Sequence, residues 1–182
     1  MSVFGKSTGE ITPDTKPIPK SNYGKSKLEA EELLITLDCD NFKVLILRPP
    51  IVYGKNCKGN FQNVLKLLKF SPVFPKIKNK RSMIYIENLC EFIRISVDEN
   101  KHGVYYPQNK EYVSTSNMAY ILSKELNQKI YFSRTLGLAI FIIKPFINIA
   151  NKAFGNLIYK GTERDDFKYC IVSKNDSFKK SV

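Results

Sequence analysis

The chain changes abruptly from a segment rich in proline to a segment that favours an α-helix. Three prolines between residues 13 and 19 keep this segment out of a helix, because proline lacks an N–H group and clashes with the preceding turn. Residues 21–38 contain no proline and are rich in Lys, Leu, Glu and Ala, which are good helix formers. Ser21 or Asn22 can cap such a helix. The sequence therefore predicts an α-helix over residues 21–38.

One face of this predicted helix combines apolar residues with a tyrosine and a lysine. Tyr23, Lys27, Ala30, Leu34 and Leu37 recur at spacings of three and four, which places them on the same side. We expect this side to be buried, with the phenol one turn from the ammonium group. A nearby cation favours the phenolate form, and a phenolate can accept a proton from a sugar hydroxyl.

The Tyr-x-x-x-Lys spacing is not specific by itself. With 10 tyrosines and 24 lysines, about one such pair is expected by chance. Two more pairs occur, at Tyr106/Lys110 and Tyr120/Lys124. Pro107 disfavours a helix at Tyr106, whereas the second pair lies on a plausible helix without other chemical residues around it. The surrounding sequence must therefore decide which pair is functional.

Four blocks of sequence give that context. They are residues 3–5 (Val-Phe-Gly), 23–31 (Tyr-Gly-Lys-Ser-Lys-Leu-Glu-Ala-Glu), 47–54 (Leu-Arg-Pro-Pro-Ile-Val-Tyr-Gly) and 80–89 (Lys-Arg-Ser-Met-Ile-Tyr-Ile-Glu-Asn-Leu). In this order they resemble the extended short-chain dehydrogenase/reductases, and more narrowly the nucleotide-sugar epimerases and dehydratases that are like UDP-glucose 4-epimerase. The resemblance covers about half of the chain and fades after roughly residue 115.

The resemblance implies an α/β fold. It consists of the C-terminal part of a Rossmann-like parallel-sheet domain and a small mixed α/β substrate domain. Residues 1–54 would be a remnant of the NAD-binding domain with the active-site helix, and residues 55–182 would form the substrate-binding part. The apolar run at residues 43–47 agrees with this, because it is typical of a buried strand in a parallel sheet.

The resemblance also implies roles for six residues. Tyr23 and Lys27 would be catalytic and would contact the cofactor, and Pro49 and Pro50 would line its nicotinamide end. The substrate diphosphate would be bound by two further residues, Asn60 and Arg81. Each position also has a purely structural interpretation: a rigid turn for the prolines, a helix cap for Asn60 and a surface cation for Arg81.

The implied cofactor is NAD, with NADP left open. A dinucleotide-binding fold needs a Gly-rich turn between a strand and a helix, and no such stretch occurs in the 182 residues. The resemblance places that turn upstream of Met1, and it places the active-site Ser/Thr about two residues before Ser2. We therefore expect a truncated form that has little activity alone and does not bind NAD tightly.

Three functions remain open. The first is an NAD-dependent nucleotide-sugar epimerase, the second is a related 4,6-dehydratase or reductase, and the third is a non-enzymatic remnant or binding module. The expected ligand is a nucleotide-diphosphate sugar. The sequence does not indicate which sugar or nucleotide is bound, and a homodimer stays open as an assembly state.

The composition argues against two other classes of protein, nucleic-acid binders and metal-binding proteins. The net charge of +12 suggests a nucleic-acid binder, but the lysines are scattered and only five arginines are present. We therefore expect no nucleic acid as a partner. The four cysteines form no C-x-x-C pair and His102 is the only histidine, so we expect no metal site. Free thiols favour a cytoplasmic location.

Four further segments carry signals of their own. Residues 136–150 include an unbroken apolar run of eight residues, whereas a membrane span needs about 20. We expect a buried or interfacial helix there, kinked at Pro145, and no transmembrane span. Residues 160–182 are polar, and we expect an irregular or frayed end. Residues 5–8 imitate the end of a P-loop, but Gly9 and the following prolines forbid its helix. The first five residues are predicted to end a strand.

Overall fold

The computed structural model describes residues 2–57, 59–143, 148–162 and 168–182. A 3-10 helix at Ser2–Phe4 opens the described chain. The α-helices are α1 (Asn22–Ile35), α2 (Asn60–Phe70), α3 (Ile86–Asp98), α4 (Thr115–Glu125), α5 (Arg134–Ile143), α6 (Asn148–Phe154) and α7 (Lys174–Lys179). The strands are β1 (Gly9–Ile11), β2 (Leu45–Leu47), β3 (Ile51–Tyr53), β4 (Val73–Pro75), β5 (Met83–Tyr85), β6 (Gly103–Tyr105), β7 (Tyr131–Ser133) and β8 (Leu157–Tyr159).

Every strand pairing between these elements is parallel. The pairs are β1 with β8, β2 with β6, β3 with β5, and β4 with β7. Parallel neighbours need long crossover connections, which are usually helical, and the connections here contain the helices. The prediction of an α/β fold with parallel strands is therefore confirmed.

The strand pairs cross the domain boundary that the sequence suggests at residue 54. The three strands before this residue pair with strands that follow it: β1 with β8, β2 with β6 and β3 with β5. The two segments are therefore joined by main-chain hydrogen bonds. Their division into a cofactor part and a substrate part stays a prediction.

The main core lies between α2, α4, β3, β5 and α7. Helix α2 packs one face into this core, and four apolar residues of that face are buried: Phe61, Val64, Leu65 and Leu68. Tyr53 and Tyr85 come from the paired strands β3 and β5, with ring centroids 5.6 Å apart. A second, smaller cluster joins the 3-10 helix to β1 and β8. These two cores fix the positions of the residues described below.

The prediction of an irregular or frayed C-terminal segment is wrong for Lys174–Lys179, which forms α7. Ser173 caps α7, since its side chain accepts a hydrogen bond from the amide of Asp176. Phe178 is fully buried, with its ring centroid 5.1 Å from that of Tyr53. The Ser177 hydroxyl lies 2.6 Å from the Tyr53 hydroxyl. One apolar side chain in a polar segment gives no periodic signal, so only its tertiary contacts reveal the helix.

The first residues also differ from the predicted strand. Ser2–Phe4 forms a 3-10 helix that ends at Gly5, whose φ is +59°. A Cβ atom on Gly5 would lie 2.2 Å from the carbonyl oxygen of Ile18. The chain therefore turns sharply there and passes into β1, not into the helix that a P-loop requires.

The apolar run near residue 140 forms α5, and α6 follows it. The kink predicted at Pro145 lies outside the described residues. Among the residues that the structure describes, no helix has the length and apolar content to cross a lipid bilayer.

Candidate active site

Helix α1 is fixed at its start by a cap and a close approach. The Ser21 side chain accepts a hydrogen bond from the amide of Gly24 over 3.1 Å. Gly24 packs against the 3-10 helix so closely that a Cβ atom would lie 2.6 Å from the carbonyl oxygen of Ser2. A larger residue at position 24 would therefore displace the first turn, which carries Tyr23.

Tyr23 and Lys27 lie one turn apart as predicted, with the Lys27 Nζ atom 5.6 Å from the centre of the Tyr23 ring. The expectation that this face is buried is wrong, because Tyr23 is 65% exposed and Leu37 is 54% exposed. The inner face of α1 instead runs through Gly24, Leu28 and Glu31, one position further along. Both side chains are thus accessible to a ligand.

The inner face of α1 is tied to the end of β2 by an ion pair that the sequence does not reveal. The Arg48 guanidinium donates to the Glu31 carboxylate over 2.7 and 2.9 Å, and both side chains are nearly buried. It also donates to the Tyr106 hydroxyl and lies 5.4 Å from the centre of the Phe4 ring. Burial opposes the charge on Arg48, but the hydrogen bonds and negative charge of Glu31, together with Tyr106, outweigh it and raise the pKa of Arg48. This arginine therefore holds α1 in position.

Replacing Arg48 by methionine should lower the free energy of unfolding by about 2 kcal/mol, because the Glu31 carboxylate would lose its charged hydrogen-bond donor. Urea denaturation monitored by circular dichroism measures this change. The matched control is Arg94→Met, since Arg94 forms exposed, solvent-screened ion pairs on α3, and its replacement should lower the stability much less. Equal losses in the two variants would contradict the role of Arg48.

Pro49 and Pro50 follow β2 at its carboxyl end, where ligands bind in parallel α/β sheets. The carbonyl oxygen of Pro49 accepts a hydrogen bond from the Tyr159 hydroxyl over 3.2 Å, and Pro50 is buried. Burial also raises the pKa of Tyr159, which keeps it a neutral donor. The turn is thus rigidly held at an edge that is suited to binding.

Arg81 is a buried cation without an acidic partner among the residues that the structure describes. Its side chain is 5% exposed, and it donates one hydrogen bond, to the carbonyl oxygen of Gly155 over 3.1 Å. Its Nε atom is buried without a hydrogen-bond partner, and no carboxylate among the described residues forms an ion pair with it. Burial lowers the pKa of Arg81 to about 10, so the guanidinium stays charged at neutral pH.

Two clefts meet at Arg81. One has a volume of about 500 Å³ and extends to Ser21 at the cap of α1. The other has a volume of about 380 Å³ and extends to Phe61 and Asn63 in the first turns of α2. Lys152 lines both clefts, and the residues lining each include no aspartate or glutamate. The arrangement therefore places cations between the starts of two helices.

Asn60 is the first residue of α2 and not its cap, because Gly59 holds the cap position. Glycine has no side chain that could accept hydrogen bonds from the first amides of the helix. The first amides of a helix lack intrahelical partners and favour an anion, as does the helix dipole. The structure thus brings the start of α2 and Arg81 to one cleft. Tyr23 and Lys27 line neither cleft, although Ser21, two residues before Tyr23, lines the other one.

Three lysines that line these clefts are not predicted by any sequence motif: Lys6, Lys20 and Lys152. Lys6 lies in the Gly-Lys-Ser sequence that only imitates a P-loop. For Lys20 and Lys152, the sequence gives no signal beyond the general excess of lysine. Among the described residues, no group of three metal-ligating side chains occurs, and the cysteines at 39, 57, 90 and 170 are free.

Comparison with known proteins agrees with this geometry. The RmlD substrate binding domain family matches residues 2–136. UDP-glucose 4-epimerase from Vibrio cholerae is 35% identical over 116 residues, which make up 60% of this chain and 35% of that protein. N-acetyl-alpha-D-glucosaminyl-diphospho-ditrans,octacis-undecaprenol 4-epimerase from Escherichia coli O157:H7 is 32% identical over 120 residues, or 62% of this chain and 36% of that protein.

A solved structure extends the likeness to the whole fold. UDP-glucuronic acid 4-epimerase from Bacillus cereus, in complex with NAD, superimposes with a TM-score of 0.70 at 19% identity, over 99% of this chain and 57% of that one. The chain spans about a third of the length of the curated relatives that it matches. It belongs to the RmlD substrate-binding-domain family, within the extended short-chain dehydrogenase/reductases that include nucleotide-sugar epimerases.

Proposed function

We propose that this chain supplies the catalytic helix and the diphosphate-binding part of an NAD-dependent nucleotide-sugar 4-epimerase. The two curated relatives are 4-epimerases by name, and the Bacillus cereus structure that shares the fold is a 4-epimerase with NAD. The proposal assigns Tyr23 and Lys27 to the chemistry, Pro49 and Pro50 to the cofactor, and Asn60 and Arg81 to the substrate.

The buried, unpaired guanidinium of Arg81 carries this proposal. Burying a charge without an opposite charge costs several kcal/mol in proteins, so such groups are rare unless they have a ligand. A diphosphate supplies the missing negative charge and offers acceptor oxygens to the planar guanidinium. Lys152, Lys6 and Lys20 add positive charge along the same clefts. The site therefore fits the diphosphate of a sugar nucleotide.

The Tyr23 phenolate would accept the proton of the reacting sugar hydroxyl and later return it. Lys27 is one turn away, with its Nζ atom 5.6 Å from the centre of the Tyr23 ring, so both side chains can face one bound ligand. The exposed pair on α1 and the rigid Pro49-Pro50 turn at the carboxyl end of β2 suit the nicotinamide end of a dinucleotide. NAD, when bound, supplies the hydride acceptor for the sugar carbon. We propose NAD over NADP from the NAD complex of the structural relative.

The binding of UDP to the 182-residue chain tests the role of Arg81. In Arg81→Gln, the dissociation constant measured by titration calorimetry should rise roughly tenfold to a hundredfold, because a charged hydrogen-bond donor to the diphosphate is lost. The control is Arg94→Gln on the exposed side of α3, which should bind UDP like the unsubstituted chain.

The stability of the same variant separates ligand binding from a structural role. Arg81→Gln removes a buried charge that has no opposite partner, so the free energy of unfolding should stay the same or increase. A clear loss of stability with unchanged UDP binding would mean that Arg81 is structural. That result would remove the main support for the proposed function.

A second substrate class has specific support. The name of the Escherichia coli relative describes a sugar linked through a diphosphate to undecaprenol. Such a substrate presents the same diphosphate to Arg81, but it carries a lipid in place of a nucleoside. Comparing UDP-sugar and polyprenyl-diphosphate-sugar turnover would distinguish the two classes, and product analysis would identify a dehydratase or reductase instead.

The remaining assignments are part of the same proposal. A cytoplasmic location agrees with four cysteines that are free in the structure. No nucleic acid is proposed as a partner, since the basic residues that line the clefts are accounted for by a diphosphate. A homodimer is a testable assembly state, by analytical ultracentrifugation.

A further inference from the structure

Helix α5 exposes most of its apolar side chains. Leu138 and Ile142 lie one turn apart on its outer side and are 62% and 60% exposed, and Leu136 and Ile143 are also exposed. Gly137 is buried on the opposite side. A contiguous group of exposed aliphatic side chains is rare on a free surface and marks a site of interaction.

This helix is firmly attached to the body of the protein. Gly137 packs against the main chain at Lys76, where a Cβ atom would lie 2.3 Å from the carbonyl oxygen. At the start of α5, the Ser133 hydroxyl accepts a hydrogen bond from the amide of Leu136 over 3.1 Å. The exposed side chains are therefore held outward by the fold and do not belong to a loose end.

The charges around α5 indicate what kind of partner it meets. Residues 126–162 contain five Lys and Arg but no Asp or Glu. Residues 41–86, which include β4 and the Lys76 segment beneath α5, contain ten Lys and Arg and again no Asp or Glu. Arg134 is the first residue of α5, the Lys76 main chain packs against Gly137, and Lys129 lies just before β7, which leads into α5; all three side chains are exposed. The segment that carries the apolar face thus has cations and no acidic residue, which is complementary to an anionic surface.

Helix α1 provides a contrast within the same protein. It also exposes apolar residues, with Leu33 70% and Leu37 54% exposed. Its polar positions, however, include exposed Glu29 and Glu32, and Asp38 follows it. This helix therefore lacks the charge complementarity that α5 has.

We propose that α5 docks on an anionic lipid membrane. The α5 surface, defined as Leu136, Leu138, Ile142 and Ile143 with Lys76, Lys129 and Arg134, lies in the interface plane. Its aliphatic side chains insert below the lipid headgroups, and its cations contact the lipid phosphates. Docking involves no catalytic step, so this proposal does not depend on the proposed function.

Vesicle co-sedimentation tests the proposal. The protein should bind vesicles of phosphatidylcholine mixed with phosphatidylglycerol, and binding should weaken with added salt and with phosphatidylcholine alone. The double variant Leu138→Ser/Ile142→Ser should reduce the partition coefficient about tenfold or more for each lost side chain. The matched control Leu33→Ser/Leu37→Ser, on the exposed face of α1, should leave it unchanged.

A fluorescence measurement tests membrane docking independently, even if the serine variant folds poorly. The chain contains no tryptophan, so Leu138→Trp introduces a single reporter on α5 and Leu33→Trp a single reporter on α1. Mixed vesicles should shift the emission of the α5 reporter to the blue and leave the α1 reporter unchanged.

Three results would overturn the proposal. The first is an unshifted Leu138→Trp emission with mixed vesicles. The second is equal vesicle binding by the Leu138→Ser/Ile142→Ser variant and the unsubstituted protein. The third is a concentration-dependent dimer that this variant abolishes, without any vesicle binding, since a second copy of the chain would then cover α5.

Discussion

Replacing Tyr23 by phenylalanine is expected to lower the turnover of 4-epimerisation by about 10³-fold, because the variant lacks the phenolate that accepts the sugar hydroxyl proton. The change removes one oxygen atom from an exposed side chain, so the fold and the affinity for UDP should be retained. The turnover number is measured with a UDP-sugar on the protein expressed from its complete coding frame.

The chain offers a matched control for this substitution. Tyr120 and Lys124 have the same spacing on α4, with the lysine Nζ atom 4.4 Å from the ring centre. They lie outside the residue 23–31 block that carries the family resemblance, so Tyr120→Phe should keep normal turnover. Near-normal turnover in Tyr23→Phe would exclude Tyr23 from the mechanism, and equal losses in the two variants would indicate a general effect on structure.

Truncating Phe178 to alanine is expected to lower the free energy of unfolding by about 3–5 kcal/mol, because it leaves a cavity in the main core. The phenyl ring is fully buried against Tyr53 and is stacked on Phe61, with centroids 6.4 Å apart. Its loss should release α7, because the Ser177–Tyr53 hydrogen bond and the ion pairs Lys174–Glu111 and Lys180–Glu87 do not replace this apolar contact. Urea denaturation gives the free energy, and amide hydrogen exchange reports on α7.

Phe70 is the control for this variant, since it is also a phenylalanine near a helix end but is 86% exposed. Phe70→Ala should change the free energy of unfolding by less than about 0.5 kcal/mol. A small effect of Phe178→Ala would mean that α7 does not contribute to the core, and the sequence-based expectation of a frayed end would then be the better description.

The sequence predicted much of the fold because its signals there are local. The capped helix after the prolines and the strand in the apolar run at residues 43–47 each depend on periodicity or on a few neighbouring residues. The four ordered blocks also placed the chain in its family, and the match over residues 2–136 confirms that assignment. The six residues assigned from the resemblance remain predictions about function.

Other features depended on contacts between distant parts of the chain. The sequence suggested that Tyr23 and Lys27 face inward, but the close packing of Gly24 on Ser2 rotates α1 so that they face outward. A helical period determines which residues share a face, not which face meets the core. For the same reason, the ion pair of Arg48 with Glu31 could not be anticipated, because 17 residues separate its members.

The sequence by itself determined the family, the helical spacing of Tyr23 and Lys27, and the large positive charge. Only the tertiary structure decided that Arg81 is buried without an opposite charge, and that Lys152 lines the clefts that meet there. The physical reason is that burial and electrostatic environment are properties of three-dimensional neighbours. A lysine or arginine looks the same in the sequence whether it is solvated at the surface or held at the wall of a cleft.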